Sequence, residues 1–326
     1  MKIPNFWYKK KSILSNTLLP ISVLYNFFSL ILQSTKKEVK IKIPTICVGN
    51  LTIGGSGKTP VVIALNKILS KKYKRIHTLL RGYKGKINFP KIVEENDDAK
   101  LVGDEALIHR MNNYTCIAKN KIDGAKLCLK NKADLIILDD GLQSTHIFKN
   151  LSFIVTDSLF MFGNRKLFPS GPLRESIKTG FSKANALIII KNSLREKIIN
   201  IPKNIPIFFA QKLIKLPKLK SKNIYAFCGL GIHEKFYNSL EKNGLNIEEK
   251  ENFKDHHFFK DNEILKIIRI SKKKKLEILT TRKDYVKINP NLKKHIKVVD
   301  LEIKFDSEKK IFNFIQKSLK SNLNQN

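Results

Sequence analysis

The stretch PTICVGNLTIGGSGKTP, residues 44–60, joins an apolar run, a glycine-rich turn and the beginning of a helix. Pro44–Gly49 predicts a short buried strand, and a helix is predicted from Lys58 to about Lys71. A strand that leads into such a turn and helix is the setting of a phosphate-binding loop, because backbone N–H groups and the helix N-terminus converge on phosphate oxygens. The residues of the predicted ATP site are Thr52, Ile53, Gly54, Gly55, Ser56, Gly57, Lys58 and Thr59.

Two side chains of this loop have the chemistry that phosphoryl transfer needs. Lys58 is placed to reach the β- and γ-phosphates and to stabilise the transferring group, and the Thr59 hydroxyl can ligate Mg²⁺. The loop departs from the usual G-x-x-x-x-G-K-[ST] pattern at its first position, where Thr52 replaces glycine. A glycine-rich turn with an incidental lysine would not account for the strand and the helix on either side of it.

A pair of aspartates follows the apolar run DLIIL at residues 134–138. Ligands of open α/β sheets bind at the carboxyl ends of the strands, so Asp139 and Asp140 are predicted to face the phosphate loop. Together with Thr59 they form the predicted magnesium site. The alternative is that the two aspartates simply form a turn.

Three further polar groups are less specific by themselves. Arg81–Tyr83 follows the second predicted strand, and Gly103–Glu105 opens a helix, where an N-terminal cap would also explain the aspartate. Asn164–Glu175 predicts a loop that could cover a substrate. Asp255–His257 could be an ordinary loop with structural histidines.

Strand-length apolar runs alternate with helical segments along most of the chain. This alternation predicts an α/β fold with a P-loop kinase-type parallel sheet domain and a second, smaller α/β domain. The predicted division is an N-terminal helix at 1–35, an ATP-binding domain at 36–210, a Lys- and Pro-rich linker at 211–223, and a C-terminal domain at 224–326 that closes over the site.

The N-terminal segment has no charged residue from Ser12 to Thr35 and has lysines on both sides. No small-residue cleavage site follows it, and Pro20 and several polar residues argue against a spanning helix. Its polar residues recur as one helical stripe, which predicts an amphipathic helix in the membrane interface with Trp7 and Tyr8 at the headgroups. A helix docked on the protein's own core is the alternative. The stripe consists of Ser22, Asn26, Ser29 and Gln33.

The charge balance is strongly basic, with 62 lysines and arginines against 28 aspartates and glutamates and a formal net charge of +34. Such a surplus favours an anionic partner, such as nucleic acid, a phosphorylated substrate or a membrane surface. Coding bias in a chain rich in Lys, Asn and Ile explains it equally well. The four cysteines lie far apart in apolar contexts, which predicts buried reduced thiols and a cytosolic compartment.

These segments together resemble the tetraacyldisaccharide 4′-kinase family of lipid A biosynthesis, and the resemblance covers most of the chain. It rests on VGNLTIGGSGKTP (48–60), RGYKGK (81–86), VGDEALI (102–108), DDGLQ (139–143), GNRKLFPSGPLRE (163–175), AFCGLGIHEKF (226–236), KDHH (254–257) and TTRKDYVK (280–287). The resemblance implies transfer of the ATP γ-phosphate to the 4′-hydroxyl of a tetraacylated glucosamine disaccharide 1-phosphate. It places the protein at the cytoplasmic face of the inner membrane.

The resemblance also implies roles for individual residues. Asp104 would accept the proton of the sugar hydroxyl with His256 of the second domain as its partner, and Asp139 and Asp140 would hold Mg²⁺. The positions that would face substrate or nucleotide are Tyr83, Gln143, Arg174 and Glu175. The chain departs from the family at Ser144, where a histidine often follows DDGxQ, although His146 lies close by.

Two other functions are compatible with a phosphate loop: an ATPase that binds nucleic acid through its basic surface, and a kinase of another amphipathic acceptor. The sequence has no RNA- or DNA-binding signature and no interleaving of aromatic with basic residues, so no nucleic-acid partner is expected. The main prediction is a lipid kinase at the membrane surface that uses ATP and Mg²⁺.

Overall fold

The computed structural model describes residues 4–9, 11–34, 38–192, 205–231 and 233–323. Twelve strands lie in this part of the chain: β1 (Thr45–Gly49), β2 (Ile76–Leu80), β3 (Lys91–Ile92), β4 (Tyr114–Ile117), β5 (Leu135–Asp139), β6 (Leu151–Asp157), β7 (Ala186–Lys191), β8 (Ile207–Lys215), β9 (Asn223–Cys228), β10 (Asn246–Asn252), β11 (Glu277–Thr281) and β12 (Lys297–Phe305).

The helices of the described residues follow a short 3-10 turn at Asn5–Tyr8. They are α1 (Ile13–Thr17), α2 (Leu19–Ser34), α3 (Lys58–Leu69), α4 (Ala99–Val102), α5 (Asp104–Arg110), α6 (Lys121–Lys130), α7 (Ile177–Ser182), α8 (His233–Lys242), α9 (Asp261–Lys274), α10 (Arg282–Tyr285), α11 (Pro290–Lys293) and α12 (Glu308–Leu323).

The twelve strands form one sheet in the order β10-β9-β11-β12-β8-β7-β6-β1-β5-β2-β4-β3. Nine of the eleven neighbouring pairs are parallel, and the antiparallel ones are β3 with β4 and β8 with β12. The predicted α/β class with a mainly parallel sheet is confirmed. The phosphate loop follows β1, and the two aspartates lie at the end of the parallel strand β5. Both therefore lie at the edge of the sheet formed by the carboxyl ends of its parallel strands.

Alternate residues of the central strand β1 pack into two different layers, as a strand buried on both faces requires. Ile46 and Val48 lie in a cluster with Leu65 of α3, whereas Cys47 lies in a second cluster with Ala125 of α6. Helices therefore cover both faces of the sheet. All four cysteines are buried and free, as predicted.

The second half of the sheet has its own two layers. Ala226 of β9 packs with Leu240 of α8 on one face, and Phe227 packs with Ile267 of α9 on the other. The terminal helix α12 does not join these layers. Its buried residues Ile311, Ile315 and Leu319 lie in the same cluster as Phe153 of β6, so the C-terminal end of the chain packs on the first half.

The predicted linker at 211–223 begins inside a strand. Residues 211–215 are the end of β8 and pair with 300–304 of β12, so the two halves of the sheet meet through an antiparallel pair. The strand was not recognised because residues 211–215, QKLIK, mix lysines with apolar residues in a Lys- and Pro-rich stretch, and Leu213 and Lys215 are exposed. The exact division into domains stays a prediction.

The N-terminal helices lie against the predicted substrate loop. The Ser22 hydroxyl donates to the Leu167 carbonyl (3.0 Å) and accepts from the Ser170 amide (3.0 Å), and Trp7 donates its indole N–H to the Pro169 carbonyl (3.0 Å). Trp7 is only 2% exposed, so its predicted place among lipid headgroups is wrong. Of the polar stripe, Ser22 is buried and Asn26 half-buried, while the Ser29 and Gln33 side chains lie outside the described residues.

The other side of α2 carries large apolar side chains that face away from the protein. Ile21, Leu24 and Phe28 are 53%, 59% and 60% exposed. This orientation is the reverse of a helix whose apolar stripe is docked on its own core. No helix of the described ranges has both the length and the apolar character needed to cross a membrane.

Candidate functional site: a phosphate loop and a buried Asp–His pair

The phosphate loop has the backbone that its glycines predict. Gly57 has a φ of +85° and caps the N-terminus of α3, and a Cβ added there would lie 2.5 Å from the Ile190 side chain, so this position requires glycine. A Cβ added at Gly55 would meet no atom within 4 Å, which places open space beside the loop. The Ser56 hydroxyl is buried and has no hydrogen-bond partner among the described residues. Both features fit a loop that accepts phosphate oxygens.

A second segment, residues 172–174, holds the loop in position. The Ile53 amide donates to the Pro172 carbonyl (2.7 Å), and the Arg174 amide donates to the Leu51 carbonyl (2.7 Å). Thr52 and Leu173 form a β-bridge between these contacts. Thr52, the departure from the usual loop pattern, is therefore part of a short backbone ladder with the predicted substrate loop.

Asp139 at the end of β5 receives two contacts on one oxygen. Thr59 Oγ1 donates to Asp139 Oδ2 (3.1 Å), and His109 Nε2 lies 2.8 Å from the same atom. Burial opposes ionisation of Asp139, but the hydrogen bond and charge of His109, with Lys58 and Thr59, outweigh it and hold its pKa below the ordinary value. The other oxygen, Oδ1, is buried without a partner in the part of the chain that the structure describes.

Asp140 is the meeting point of two cations. It has a φ of +60°, and Arg174 Nη1 donates to both of its carboxylate oxygens (2.9 and 3.0 Å) while Lys58 Nζ lies 3.6 Å from Oδ1. Lys58 and Arg174 thus converge beside the phosphate loop. Their charges are compensated there by one partly exposed carboxylate.

The oxygen donors around Asp139 and Asp140 fit a magnesium ion that takes most of its ligands from phosphate oxygens and water. No group of three or more His, Cys, Asp or Glu side chains in the described ranges could form a metal cage. Mg²⁺ in nucleotide sites is held by one or two carboxylates together with phosphate oxygens and water, so a full cage is not required. The unpartnered Asp139 Oδ1 and the Thr59 hydroxyl are the oxygens available to such an ion.

Asp104 and His256 form a buried contact between the two halves of the chain. His256 Nδ1 lies 2.8 Å from Asp104 Oδ2, and the side chains are 11% and 3% exposed. Burial raises the pKa of Asp104, but the hydrogen bond from His256 and the nearby charges of Lys283 and Lys287 more than offset this and leave the pKa lowered. The pairing expected from the sequence is present in the structure.

Helix α5 connects this contact with the phosphate side of the site. Asp104 begins the helix, and His109, on its next turn, reaches Asp139. The pKa of Glu105 is raised by burial and by the nearby carboxylates Asp139 and Asp104. A single short helix therefore faces both the Asp–His pair and the predicted metal carboxylate.

The four residues predicted to face substrate or nucleotide differ in exposure. Tyr83 is 60% exposed, and its ring lies 5.9 Å from that of His256. Gln143 donates to Glu175 Oε1 (2.8 Å) and to the Asn50 carbonyl (3.1 Å), and the other Glu175 oxygen pairs with Lys183 (2.5 Å). Gln143 and buried Glu175 thus support the loop from behind, while Tyr83 and Arg174 remain accessible.

Two site residues, His109 and Lys283, were not predicted as such. His109 follows Glu105 by four residues, the spacing that puts two side chains on one helix face, and this signal could have revealed it. Lys283 Nζ lies 3.0 Å from His256 Nε2 and 3.1 Å from Asp255 Oδ1. Its stretch, TTRKDYVK, was part of the resemblance, but spacing along the chain gives no sign of contacts with residues 27 and 28 positions away.

The sequence profile of the family described as tetraacyldisaccharide-1-P 4′-kinase (LpxK) matches residues 14–320. The chain is 33% identical over 313 residues to a tetraacyldisaccharide 4′-kinase of Paramagnetospirillum magneticum, covering 94% of this chain and 95% of that protein. It is also 33% identical over 308 residues to one of Rickettsia canadensis, covering 93% of each. The crystal structure of LpxK from Aquifex aeolicus in complex with ATP matches with a TM-score of 0.77 and 26% identity, over 94% of this chain and all of that one. On these grounds the chain belongs to the tetraacyldisaccharide-1-P 4′-kinase family.

Proposed function

We propose that this protein transfers the γ-phosphate of ATP to the 4′-hydroxyl of a tetraacylated glucosamine disaccharide 1-phosphate, a late step of lipid A biosynthesis. The observation that carries the proposal is the arrangement of the site in a chain of this family. The phosphate loop contacts Asp139 through Thr59, and helix α5 links Asp139 to the Asp104–His256 pair. These contacts support a nucleotide site connected through one helix to a base for a hydroxyl acceptor.

The nucleotide side would work through fixed charges. Backbone amides of residues 52–59 and the N-terminus of α3 would bind the phosphates, and Lys58 and Arg174 would leave Asp140 to pair with phosphate oxygens. Thr59, Asp139 and Asp140 would hold Mg²⁺, which neutralises charge on the transferring group when bound. Once ATP is bound these charges would be fixed around the phosphates, so little further reorganisation would be needed during transfer.

The acceptor side would supply the base. A sugar hydroxyl is a weak nucleophile, and a positioned carboxylate that accepts its proton increases the rate by orders of magnitude. Asp104 would take that proton while His256 orients it, and Tyr83 would contact the sugar beside them. Since Asp104 and His256 come from different halves of the chain, movement of the halves would assemble or disassemble the base.

The N-terminal helices would bring this site to the membrane surface. The side of α2 that faces away from the protein is apolar, and exposed contiguous apolar surface marks an interaction site. We assign this surface to the cytoplasmic leaflet of the inner membrane, with the flanking lysines near anionic headgroups. The segment 163–175 contacts both α2, through Ser170, and the phosphate loop, through Pro172. An acyl substrate held in the leaflet would thus lie near the ATP site.

The proposal is tested with ATP labelled at its γ-phosphate and three possible partners. We expect label in the acylated disaccharide 1-phosphate, little in its deacylated form, and no stimulation of ATP hydrolysis by DNA or RNA. The acyl chains should contribute to turnover as well as to affinity, because remote binding energy helps to position the hydroxyl. Equal rates on acylated and deacylated acceptors would refute the lipid assignment and leave the ATP site intact, whereas stimulation by nucleic acid would favour the ATPase alternative.

A further inference from the structure

Four side chains form a continuous chain of contacts behind the proposed base. Asp104 Oδ2 contacts His256 Nδ1 (2.8 Å), His256 Nε2 contacts Lys283 Nζ (3.0 Å), and Lys283 Nζ contacts Asp255 Oδ1 (3.1 Å). Exposure increases along the chain, from 3% at Asp104 through 11% at His256 to 25% and 32% at the last two residues. The outer pair thus lies between the buried pair and solvent.

The chemistry of the two neighbours of His256 determines which ring nitrogen carries the proton. An ionised carboxylate can only accept, so His256 Nδ1 must donate to Asp104. An ammonium group can only donate, so His256 Nε2 must accept from Lys283. Both conditions are met by the neutral imidazole protonated at Nδ1. A second proton at Nε2 would place an N–H opposite the Lys283 ammonium.

Lys283 is held in place by the structure around it. It lies in α10, whose next residue, Asp284, is fully buried and accepts from the Gly229 amide (3.0 Å) and the Thr281 hydroxyl (2.7 Å). His256 has a φ of +61°, a left-handed conformation that is uncommon for a residue with a side chain. Such backbone strain persists where the surroundings over-determine it, and it aims the ring between Asp104 and Lys283.

We propose that Lys283, anchored by Asp255, is a positioning residue that fixes His256 in its Nδ1-protonated neutral form. This inference rests on the proposed role of Asp104 as the base. It also makes the role of His256 more specific: with Nε2 occupied by Lys283, the imidazole orients Asp104 and does not itself take the proton of the sugar hydroxyl. That proton moves to the Asp104 carboxylate as the acceptor oxygen bonds to the γ-phosphorus and the bond from that phosphorus to the β,γ-bridging oxygen breaks, releasing ADP. The proton then leaves Asp104 for solvent.

The first test compares Lys283→Met, which removes the ammonium, with Lys283→Arg, which keeps a cationic donor. We expect Lys283→Met to lower kcat by about tenfold or more while the KM for ATP changes little, because the lost contact acts on the base and not on nucleotide binding. Lys283→Arg should recover most of the loss. Lys294→Met, a change at an exposed lysine of the same half, serves as the control for altered charge.

The second test is the pH dependence of kcat. The titratable groups near Asp104 are His256, Lys283, Lys287 and the Glu105 carboxyl, and the positive charge of Lys283 is one of the causes that lower the Asp104 pKa. Asp104 must be ionised to accept a proton, so Lys283→Met should raise its pKa and move the acid limb of the profile to higher pH. Lys283→Arg should leave the limb in place. Asp255→Asn, which loosens Lys283 without removing its charge, should lower kcat less than Lys283→Met does.

The third test reads the tautomer directly by NMR of ¹⁵N-histidine-labelled protein, with His256 assigned from the His256→Gln variant. In the natural chain, Nδ1 should give a protonated and Nε2 an unprotonated signal, and Lys283→Met should shift the Nε2 signal. Unchanged kcat, acid limb and ¹⁵N signals in folded Lys283→Met would overturn the inference. If that variant does not fold, the same readouts on Lys283→Gln and Asp255→Asn decide. Near-normal turnover of Asp104→Ala would refute the role of Asp104 as the base. If Asp104→Ala loses turnover but Lys283→Met does not, the base stands and only the role of Lys283 is refuted.

Discussion

Replacing Asp104 and His256 by alanine, singly and together, tests whether the two act as one unit. The contact is short (2.8 Å) and buried, with side chains 3% and 11% exposed, so it is a charge-assisted hydrogen bond worth about 1.5–3 kcal/mol. That range corresponds to about one to two orders of magnitude in rate if it acts fully in the transition state. A positioned base contributes about 10²–10⁴ in rate. We therefore expect Asp104→Ala to lower kcat by about 10²–10⁴ and His256→Ala by about 10–10².

The double variant distinguishes one unit from two independent groups. Once Asp104 is absent, His256 has no carboxylate to orient, so the double change should cost little more than Asp104→Ala alone. The assay is the initial rate of label transfer to the acylated disaccharide at saturating ATP, with circular dichroism and thermal melting as checks of folding. His295→Ala, at an exposed histidine of the same half, is the matched control. A double variant that loses the product of the two single effects would show that the residues do not cooperate.

Three further predictions concern the nucleotide side and the membrane. Lys58→Ala should lower turnover by about 10²–10³ with the fold intact, whereas Lys67→Ala, at an exposed lysine of the same helix, should not; a near-normal rate for Lys58→Ala would mean that the nucleotide site is misplaced. His109→Leu should raise the pKa of Asp139, since the His109 contact helps to lower it. As the pH falls, Mn²⁺ binding, measured by electron paramagnetic resonance, should then be lost at a higher pH than in the natural chain. An unchanged pH profile of Mn²⁺ binding would contradict this. Phe28→Asp should weaken sedimentation with anionic vesicles by about tenfold or more, while Phe89→Asp, at a similarly exposed phenylalanine (63% against 60%), should not. Equal vesicle binding by both variants would indicate that α2 does not contact the membrane and has only a structural role.

The sequence predicted those parts of the molecule whose signal is local. The strand, glycine-rich turn and helix of residues 44–69 are contiguous, so their order alone indicates a phosphate loop. Asp139 was found because it ends an apolar run, and the rule that ligands bind at the carboxyl ends of parallel strands placed it opposite the loop. Two members of the polar stripe of α2, Ser22 and Asn26, lie on its buried or half-buried side, while the Ser29 and Gln33 side chains lie outside the described residues. The direction of the stripe was not predictable, because Ser22 faces Leu167 and Ser170, about 145 residues away in the chain.

The parts that were missed depend on contacts between distant segments. Strand β10, NIEEKEN, has no apolar alternation, because it lies at the edge of the sheet and buries little. The end of β8 is a strand because β12 pairs with it, and the sequence of residues 211–215 does not indicate that pairing. Trp7 was assigned to the headgroups from its aromatic character alone, whereas its indole N–H binds the Pro169 carbonyl and the ring is buried.

The two sides of the site differ in how they are built, and this difference has a physical consequence. The nucleotide side uses three segments near 52–59, 139–143 and 172–175, which the first half of the sheet holds together through short backbone and side-chain contacts. The side proposed to accept the proton uses a contact between Asp104 and His256, 152 residues apart, and His256 and its neighbour Lys283 come from the second half of the chain. The proposed phosphate site is therefore complete within one half, whereas the proposed base would be oriented only while both halves are in contact. Because hydrolysis and transfer both need an activated acceptor oxygen, this arrangement favours a lipid hydroxyl that occupies the space between the halves over a passing water molecule.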